Sequence, residues 1–332
     1  MTGSNPWPNP RIFLAFAFFG IGVAGEAKAT HESGDFPQAR PIRMVAPFVA
    51  GSSSDAFGRY LAPKLSQRLG QNVMVENRPG AGGMIGASIV ARSASDGHTL
   101  LLPSGAFSAQ AASVKNLPYD PVDGFQWISS LLIYPFIVIV KHDAPYRNVV
   151  DVIDDAKKRP GRLNYGSVGI GSVFHLAAEL FNSMAGIETV HIPFKGSPEV
   201  TVALLNGQID LVFSTITGAM AHIQGNRVRA IAVASKLPSS QLPGVPTVAE
   251  ALPGFEVTSF SGIAAPAGTP KPIVDRLNEE IRAVLIDPET RKHVAALGGD
   301  IHPSTPEEMR RLVEGEIVKW RRIMAQRKIE IR

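Results

Sequence analysis

From Val45 onward one pattern repeats along the chain: a run of apolar, β-branched residues, a turn of small residues, then a stretch with apolar positions every three or four residues. The first copy reads VAPFVAGSSSDAFGRYLAPKL (Val45 to Leu65) and the second spans Asn72 to Ser93. A weaker third covers Thr99 to Val114, and three more occupy Leu163 to Gly186, Val190 to Gln208 and Ile209 to Gln224. Alternating strand and helix predict an α/β fold of mainly parallel sheets with helices on both faces. The copies share an order of elements and do not align as a sequence repeat.

Within the copies, Phe57, Leu61, Leu65 and Leu69 recur every four residues and predict one buried helical stripe. Pro63 lies inside it and is expected to kink the helix or weaken its middle turn. A second helix is predicted over Val173 to Met184, with Leu176, Leu180 and Met184 on one face. Near the C-terminus, Thr305-Pro306-Glu307-Glu308 forms a capping-box pattern with Pro at the first helical position. It opens the stripe Met309, Leu312, Val313, Ile317, Trp320 and Met324, in which Trp320 reads as core. The stretches Ile137 to Val149 and Gly262 to Pro272 have linker character. A chain that leaves one lobe near residue 140 and returns near 260 would build lobe 1 from residues 40–140 plus 260–332, and lobe 2 from 141–259.

Composition narrows the class. The chain has 332 residues, 45% hydrophobic and 19% charged, and its net charge of +4 is scattered without a basic block, which argues against nucleic-acid binding. Arg11, the apolar run Ile12 to Gly25 and the small-x-small triplet Ala27-Lys28-Ala29 read as a signal peptide over residues 1–29, cleaved near Ala29, with an uncleaved membrane anchor as the alternative. The expected location is the periplasm. Cysteine is absent, so no disulfide or thiolate chemistry is available and the core must hold the fold alone.

The small-residue turns carry the candidate chemistry. In open α/β sheets ligands bind outside the carboxyl ends of the strands, where each helix begins with unpaired N–H groups and a partial positive charge. Glycine and serine let an anion approach these groups closely. Ser52, Ser53, Ser54, Ser104, Ser167, Ser172, Ser214 and Thr215 add hydroxyl donors. Burying a carboxylate requires several such donors to converge on it. Any one turn is explained by capping alone; several turns from both halves of the chain point to a cleft. Asp55 reads as the N-cap of the first helix, with a partner for a ligand ammonium as its functional alternative.

Other signals are discounted. GAGGMIG (Gly80 to Gly86) has its third glycine one position late for a dinucleotide loop, and no acidic residue follows at the required distance. His175 and Glu179 share a helix face, but no third motif-spaced ligand completes a metal site. Ser167, His175 and Asp210 lack the G-x-S-x-G elbow of a hydrolase. No cofactor, metal or catalytic residue is expected.

The ordered segments RPIRMVAPFVAGSSSD, GQNVMVENRPGAGGMIGA, DGHTLLL, LPYDPVDGF, LNYGSVGIGSVFHLAAELF, IPFKGS, LLNGQIDLVF, LPGVPTVAEALPGF and APAGTPKPIVDRLN resemble the extracytoplasmic receptors of tripartite tricarboxylate transporters, the TctC-like or Bug-type receptors. The resemblance implies a two-lobed periplasmic binding fold of type II, two mainly parallel sheets flanked by helices with two crossing strands as hinge. It would close on a small carboxylate, partly through ordered water: a di- or tricarboxylate, an amino acid or an aromatic acid. Carried over, the ligand residues are Phe48, Gly51, Ser52, Ser53, Ser54 and Asp55 in the first loop. Ser167, Gly169, Gly171, Ser172 and His175 form the second-lobe loop. Gly80, Ala81, Gly82, Gly83, Ser104 and Gly105 would line the cleft, with Ser214 and Thr215 approaching from lobe 2. Implied partners of the monomer are a large and a small integral-membrane subunit. A sensor kinase domain is the alternative partner, and an enzyme using His175 or Asp55 the alternative activity. Three positions depart from the pattern: Ser52 in place of a second glycine, His98 in place of tyrosine, and Ser214 in place of an acidic residue.

Overall fold

The computed structural model describes residues 36–50, 52–296 and 299–329. The signal segment expected over residues 1–29 lies outside the described residues, as do Gly51 and the side chain of Ser53. All six strand–turn–helix copies are present. Three make one half: β1 (Ile42–Ala46) with α1 (Ser53–Leu69), β2 (Val73–Asn77) with α2 (Met84–Ala91), and β3 (Thr99–Leu101) with α3 (Gly105–Ser113). Their strands are parallel neighbours in the order β2-β1-β3. The other three make the second half: β5 (Asn164–Ser167) with α5 (Val173–Ala185), β6 (Val190–Pro193) with α6 (Ser197–Leu205), and β7 (Leu211–Thr215) with α7 (Ile216–Gln224). These strands are parallel too, ordered β7-β5-β6.

One long strand, β4 (Phe125–Lys141), runs through both halves. It pairs antiparallel with β9 (Thr258–Pro266) over Phe125–Pro135, then with β7 over Phe136–Val140. The strands β8 (Val228–Val233) and β10 (Asp300–Ile301) also pair with it. Because β9 is antiparallel to both β3 and β4, strands β1 to β3 run in the same sense as β4. Because β7 is antiparallel to β4, strands β5 to β7 run in the opposite sense. The carboxyl ends of the two parallel sets therefore point at each other. Ser104, just past β3, bridges Ser261, which pairs with Leu132 on β4, whereas Thr215 at the end of β7 pairs with Phe136. The two sets of strand ends are thus about four residues of β4 apart, roughly 13 Å at the rise of an extended strand.

The stretches expected to be linkers each begin as sheet. Ile137–Lys141 ends β4, and Gly262–Pro266 lies inside β9, where Ile263, Ala264 and Ala265 are fully buried. Sheet pairing explains this: β4 and β9 carry the crossing as paired strands, and the return beside β4 is fixed by the Phe136 N–H to Val257 O bond of 3.1 Å. The helix α1 runs unbroken through Pro63, with Phe57, Leu61, Leu65 and Leu69 buried as expected. In α5 the buried face is Leu176, Ala177, Phe181 and Ala185, and Met184 is exposed.

Two clusters dominate the cores, and the larger also takes in Ala109 and Ala112 of α3 from the first half. In the first half Phe57, Leu61 and Leu65 pack with Met44, Leu100 and Ile263, together with Leu277 and Ile281 of α9 (Lys271–Ile286). In the second half Phe136, Tyr165, Leu176, Phe181, Phe213 and Phe255 form the largest cluster. The C-terminal helix α11 (Pro306–Gln326) joins both. Its Met309, Val313 and Ile317 pack against Phe107, Phe125 and Trp127, and its Trp320, Ile323 and Met324 enter the second-half cluster. Thr305 and Glu308 form the expected capping box at its start.

Candidate ligand-binding site

Both sets of strand ends carry the predicted turns. After β1, Ser52 caps α1, its Oγ accepting the Asp55 N–H at 3.4 Å. The expectation that Asp55 is the N-cap is therefore corrected: Asp55 is the third helical residue, where its carboxylate turns back beneath the loop. Its Oδ1 accepts from Arg59 Nε at 3.0 Å and from Asn77 Nδ2 at 2.8 Å. Asn77 Nδ2 also donates to the Phe48 carbonyl at 3.1 Å, and Arg59 donates to Asn77 Oδ1 at 2.8 Å. Asp55 is 2% exposed and Ser54 3%. This ring of bonds ties the first loop to the end of β2.

The turn after β2 is made by Gly80, Ala81, Gly82 and Gly83, at φ values of +131°, +47°, +66° and +100°. A Cβ on Gly82 would lie 2.1 Å from Gln110 Oε1 on α3, and one on Gly83 would lie 3.3 Å from Phe48 Cζ. The positive φ angles favour glycine in this turn, and a side chain at position 82 would displace the end of Gln110. The helices α2 and α3 begin at Gly83 and Ser104 without a side-chain cap. Gly105 approaches β9 so closely that a Cβ would meet Ser259 Oγ at 2.5 Å. Ser259 Oγ in turn donates to the Tyr134 hydroxyl at 3.1 Å, on the stretch of β4 between the two sets of ends.

In the second half Ser172 caps α5, accepting the His175 N–H at 3.3 Å and donating to the Gly169 carbonyl at 2.7 Å. Gly169 and Gly171 have φ of +115° and +79°. The fully buried Ser167 has its Oγ 2.6 Å from His191 Nε2 and accepts the Gly169 N–H at 3.1 Å. His175 Nδ1 accepts the Gly171 N–H at 3.1 Å. Thr215 caps α7, and Ser214 and Thr215 line a small pocket of about 30 Å³ with Phe174, Ser197 and Gly218.

The geometry dissolves the Ser167–His175–Asp210 triad already discounted. Ser167 bonds His191, and Asp210 accepts the Asn164 N–H at 2.7 Å at the start of β5. Among the described residues no group of three His, Asp or Glu side chains could hold a metal ion.

The profile of the family described as "Tripartite tricarboxylate transporter family receptor" matches residues 57–329. The chain belongs to this receptor family. It is 34% identical to BugT of Bordetella pertussis (strain Tohama I) over 92% of this chain and 94% of BugT. A solved structure of Rpa4515 from R. palustris with adipate superposes with a TM-score of 0.81 at 32% identity, covering 89% of this chain and 99% of that one. The periplasmic binding protein BugD gives 0.77 at 34% identity, covering 88% and 99%. MatC from Rhodopseudomonas palustris with bound malate gives 0.76 at 30% identity, covering 86% and 99%.

Two side chains that the sequence motifs do not single out organise the predicted loops. Asn77 holds Phe48 and Asp55 together, and His191 meets Ser167. The parallel pairing of Tyr165 with His191 sets the latter on the strand beside Ser167, a relation no local motif encodes. Of the three departures from the family pattern, His98 sits at the start of β3, the end opposite the gap. It is 4% exposed, with its ring nitrogens near the carbonyls of Asp96 and Pro37. Ser52 and Ser214 lie at the strand ends that face the gap.

Proposed function

We propose that this protein is a periplasmic receptor that holds a small di- or tricarboxylate between lobe 1 (residues 40–140 plus 260–332) and lobe 2 (141–259). It delivers that ligand to the two membrane subunits of a tripartite transporter and carries out no chemistry on it. The observation that carries the reading is the opposed arrangement of the two parallel strand sets. Their carboxyl ends, each followed by helix N-termini and small residues, face one another over roughly 13 Å. Adipate and malate in the structures of the two R. palustris relatives support a small dicarboxylate as the ligand class.

The physical account is desolvation offset by many donors. The uncapped starts of α2 and α3 offer main-chain N–H groups, Ser104 and Ser214 offer hydroxyls, and the buried Ser167 holds the second-lobe loop in place. Phe48, Gly51 to Ser54, Gly80 to Gly83, Gly105, Gly169 to Ser172, His175 and Thr215 complete the contact set, and Asp55 supports the first loop from beneath through Arg59 and Asn77. A carboxylate gathered by several charge-assisted bonds can reach micromolar affinity, roughly 8 kcal/mol. Residues 1–29 direct export and are removed near Ala29, and the mature protein acts as a monomer.

The test is native mass spectrometry of protein purified without refolding, followed by calorimetry against adipate, malate, citrate, glutamate and benzoate. The expected result is one bound acid per chain, recovered chemically unchanged. Failure of every acid to bind, or a complex in which Arg or Lys side chains supply the main anchors, would overturn the reading.

A further inference from the structure

Behind the loop after β5 stands a column of three rings. Tyr165 and His191 stack with centroids 4.9 Å apart at 15°, and His191 and His175 stack at 4.1 Å and 18°. Each imidazole holds a different part of the loop: His191 Nε2 meets Ser167 Oγ, and His175 Nδ1 accepts the Gly171 amide. The acceptor role requires a lone pair on Nδ1, so His175 is neutral with its proton on Nε2. A second positive charge 4.1 Å away would oppose the first, and burial opposes either. Burial, with His175 beside it, pushes His191 down to about 4, while Glu179 acts weakly against that shift.

The charged groups around the column are accounted for. Glu179 of α5 accepts the Tyr165 hydroxyl proton at 2.5 Å and Arg327 Nε at 2.7 Å, and Arg327 also meets Glu188 at 3.2 Å. The carboxylate nearest the stack is thus already paired with a guanidinium beyond α11. His191 is thus a neutral, directional hydrogen-bonding group at neutral pH, beside a His175 whose Nδ1 accepts the Gly171 amide.

We propose that His191 is a positioning residue of the ligand site. Its neutral ring anchors the Ser167 hydroxyl and, by stacking, holds the His175 ring in the orientation that presents Nδ1 to the Gly171 amide. The loop Gly169–Ser172 is then set before any ligand arrives. This rests on the reading that the loop grips a carboxylate, and it deepens that reading by naming what keeps the loop in place.

The experiment uses imidazole ¹⁵N spectra and amide exchange of the ligand-free protein, with His191→Phe and His191→Gln variants. In the parent, His175 is expected as the Nε2–H tautomer. His191→Phe keeps a stacking ring and loses the bond to Ser167. The Gly169, Gly171 and Ser172 amides are then expected to exchange about tenfold faster, with global melting little changed. His191→Gln restores a polar partner and should recover part of that protection. Unchanged exchange of the Gly169, Gly171 and Ser172 amides in both variants would overturn the positioning role. Malate and adipate titrations form a separate arm: an acid that binds the parent should bind His191→Phe about tenfold more weakly. A parent that binds neither acid while the loop effects hold would count against the carboxylate reading and leave the positioning role standing.

Discussion

Gly171 and Ser113 meet where the two halves approach: a Cβ added to Gly171 would lie 2.8 Å from Ser113 Cβ and 2.9 Å from its Oγ. Gly171 belongs to the loop after β5, and Ser113 ends α3 in the other half. The contact is main chain against side chain, and it depends on position 171 having no side chain.

Gly169 supplies the control for this contact, because its φ is also positive and a Cβ there would meet nothing within 4 Å. Gly169→Ala should cost only the strain of a left-handed non-glycine residue, about 1–2 kcal/mol. Gly171→Val adds the collision with α3 to that strain. It is expected to be the less stable variant in urea and to bind dicarboxylate at least about tenfold more weakly than Gly169→Ala. Equal behaviour of the two would show that the approach to Ser113 does not matter.

Asp55 is expected to act on the first loop through its bonds. Asp55→Ala removes the acceptor shared by Arg59 and Asn77 and leaves Asn77 Nδ2 with only the Phe48 carbonyl. Arg59 is half exposed, so the ion pair itself contributes little. The lost buried hydrogen bonds should lower stability by about 1–3 kcal/mol in urea denaturation. Faster amide exchange at Phe48 and Val49 should accompany it, whereas Asp55→Asn should retain part of the protection.

The six strand–helix copies and the stripe of α1 were legible because periodicity reports burial, and Phe57 to Leu69 followed it residue by residue. The crossing was legible only as a place. Gly and Pro near residues 262–272 suggested a linker, whereas pairing with β4 makes Gly262–Pro266 a buried strand. Pairing between segments more than 100 residues apart leaves no local signature. The same holds at the site. Serines and glycines at helix starts could be read from spacing, but Asn77 and His191 act through neighbouring strands. Asp55 was misplaced because Ser52 and Asp55 are both capping residue types, and only the dihedral angles of Ser52 decide between them.

Helix α11 is expected to be the main tie between the halves. Trp320 is fully buried in a cluster of mainly second-half residues that also takes in Ala109 and Ala112 of α3, and Met309 is fully buried against Phe107, Phe125 and Trp127 in the first half. Trp320→Ala should cost about 3–5 kcal/mol and Met309→Ala about 2–5 kcal/mol. Hydrogen exchange should separate them. Trp320→Ala should deprotect β5 and α5 more than β1 and α1, and Met309→Ala the reverse. Uniform deprotection by both would mean that the halves open as a single cooperative unit.

His191 also sets a pH dependence whose sign can be worked out. In the folded chain it titrates near 4, and in the unfolded chain near its ordinary value of 6.5. Between these values the unfolded state binds a proton that the folded state refuses, so this group makes stability rise with pH across that window. Its contribution is complete above about pH 6.5 and is lost as the pH falls through 4. Glu316, whose carboxyl is pushed up by burial, acts in the opposite sense, since the folded state keeps its proton to higher pH. Asp155, held down to about 2 by Arg159 and Tyr146, also loses stabilisation on acidification. Both remain in a His191→Phe variant, so the difference between variant and parent isolates the imidazole. Urea midpoints measured from pH 7.5 to pH 4 should fall less steeply in His191→Phe than in the parent. Parallel curves would mean that His191 takes up its proton as readily in the folded protein as in the unfolded chain.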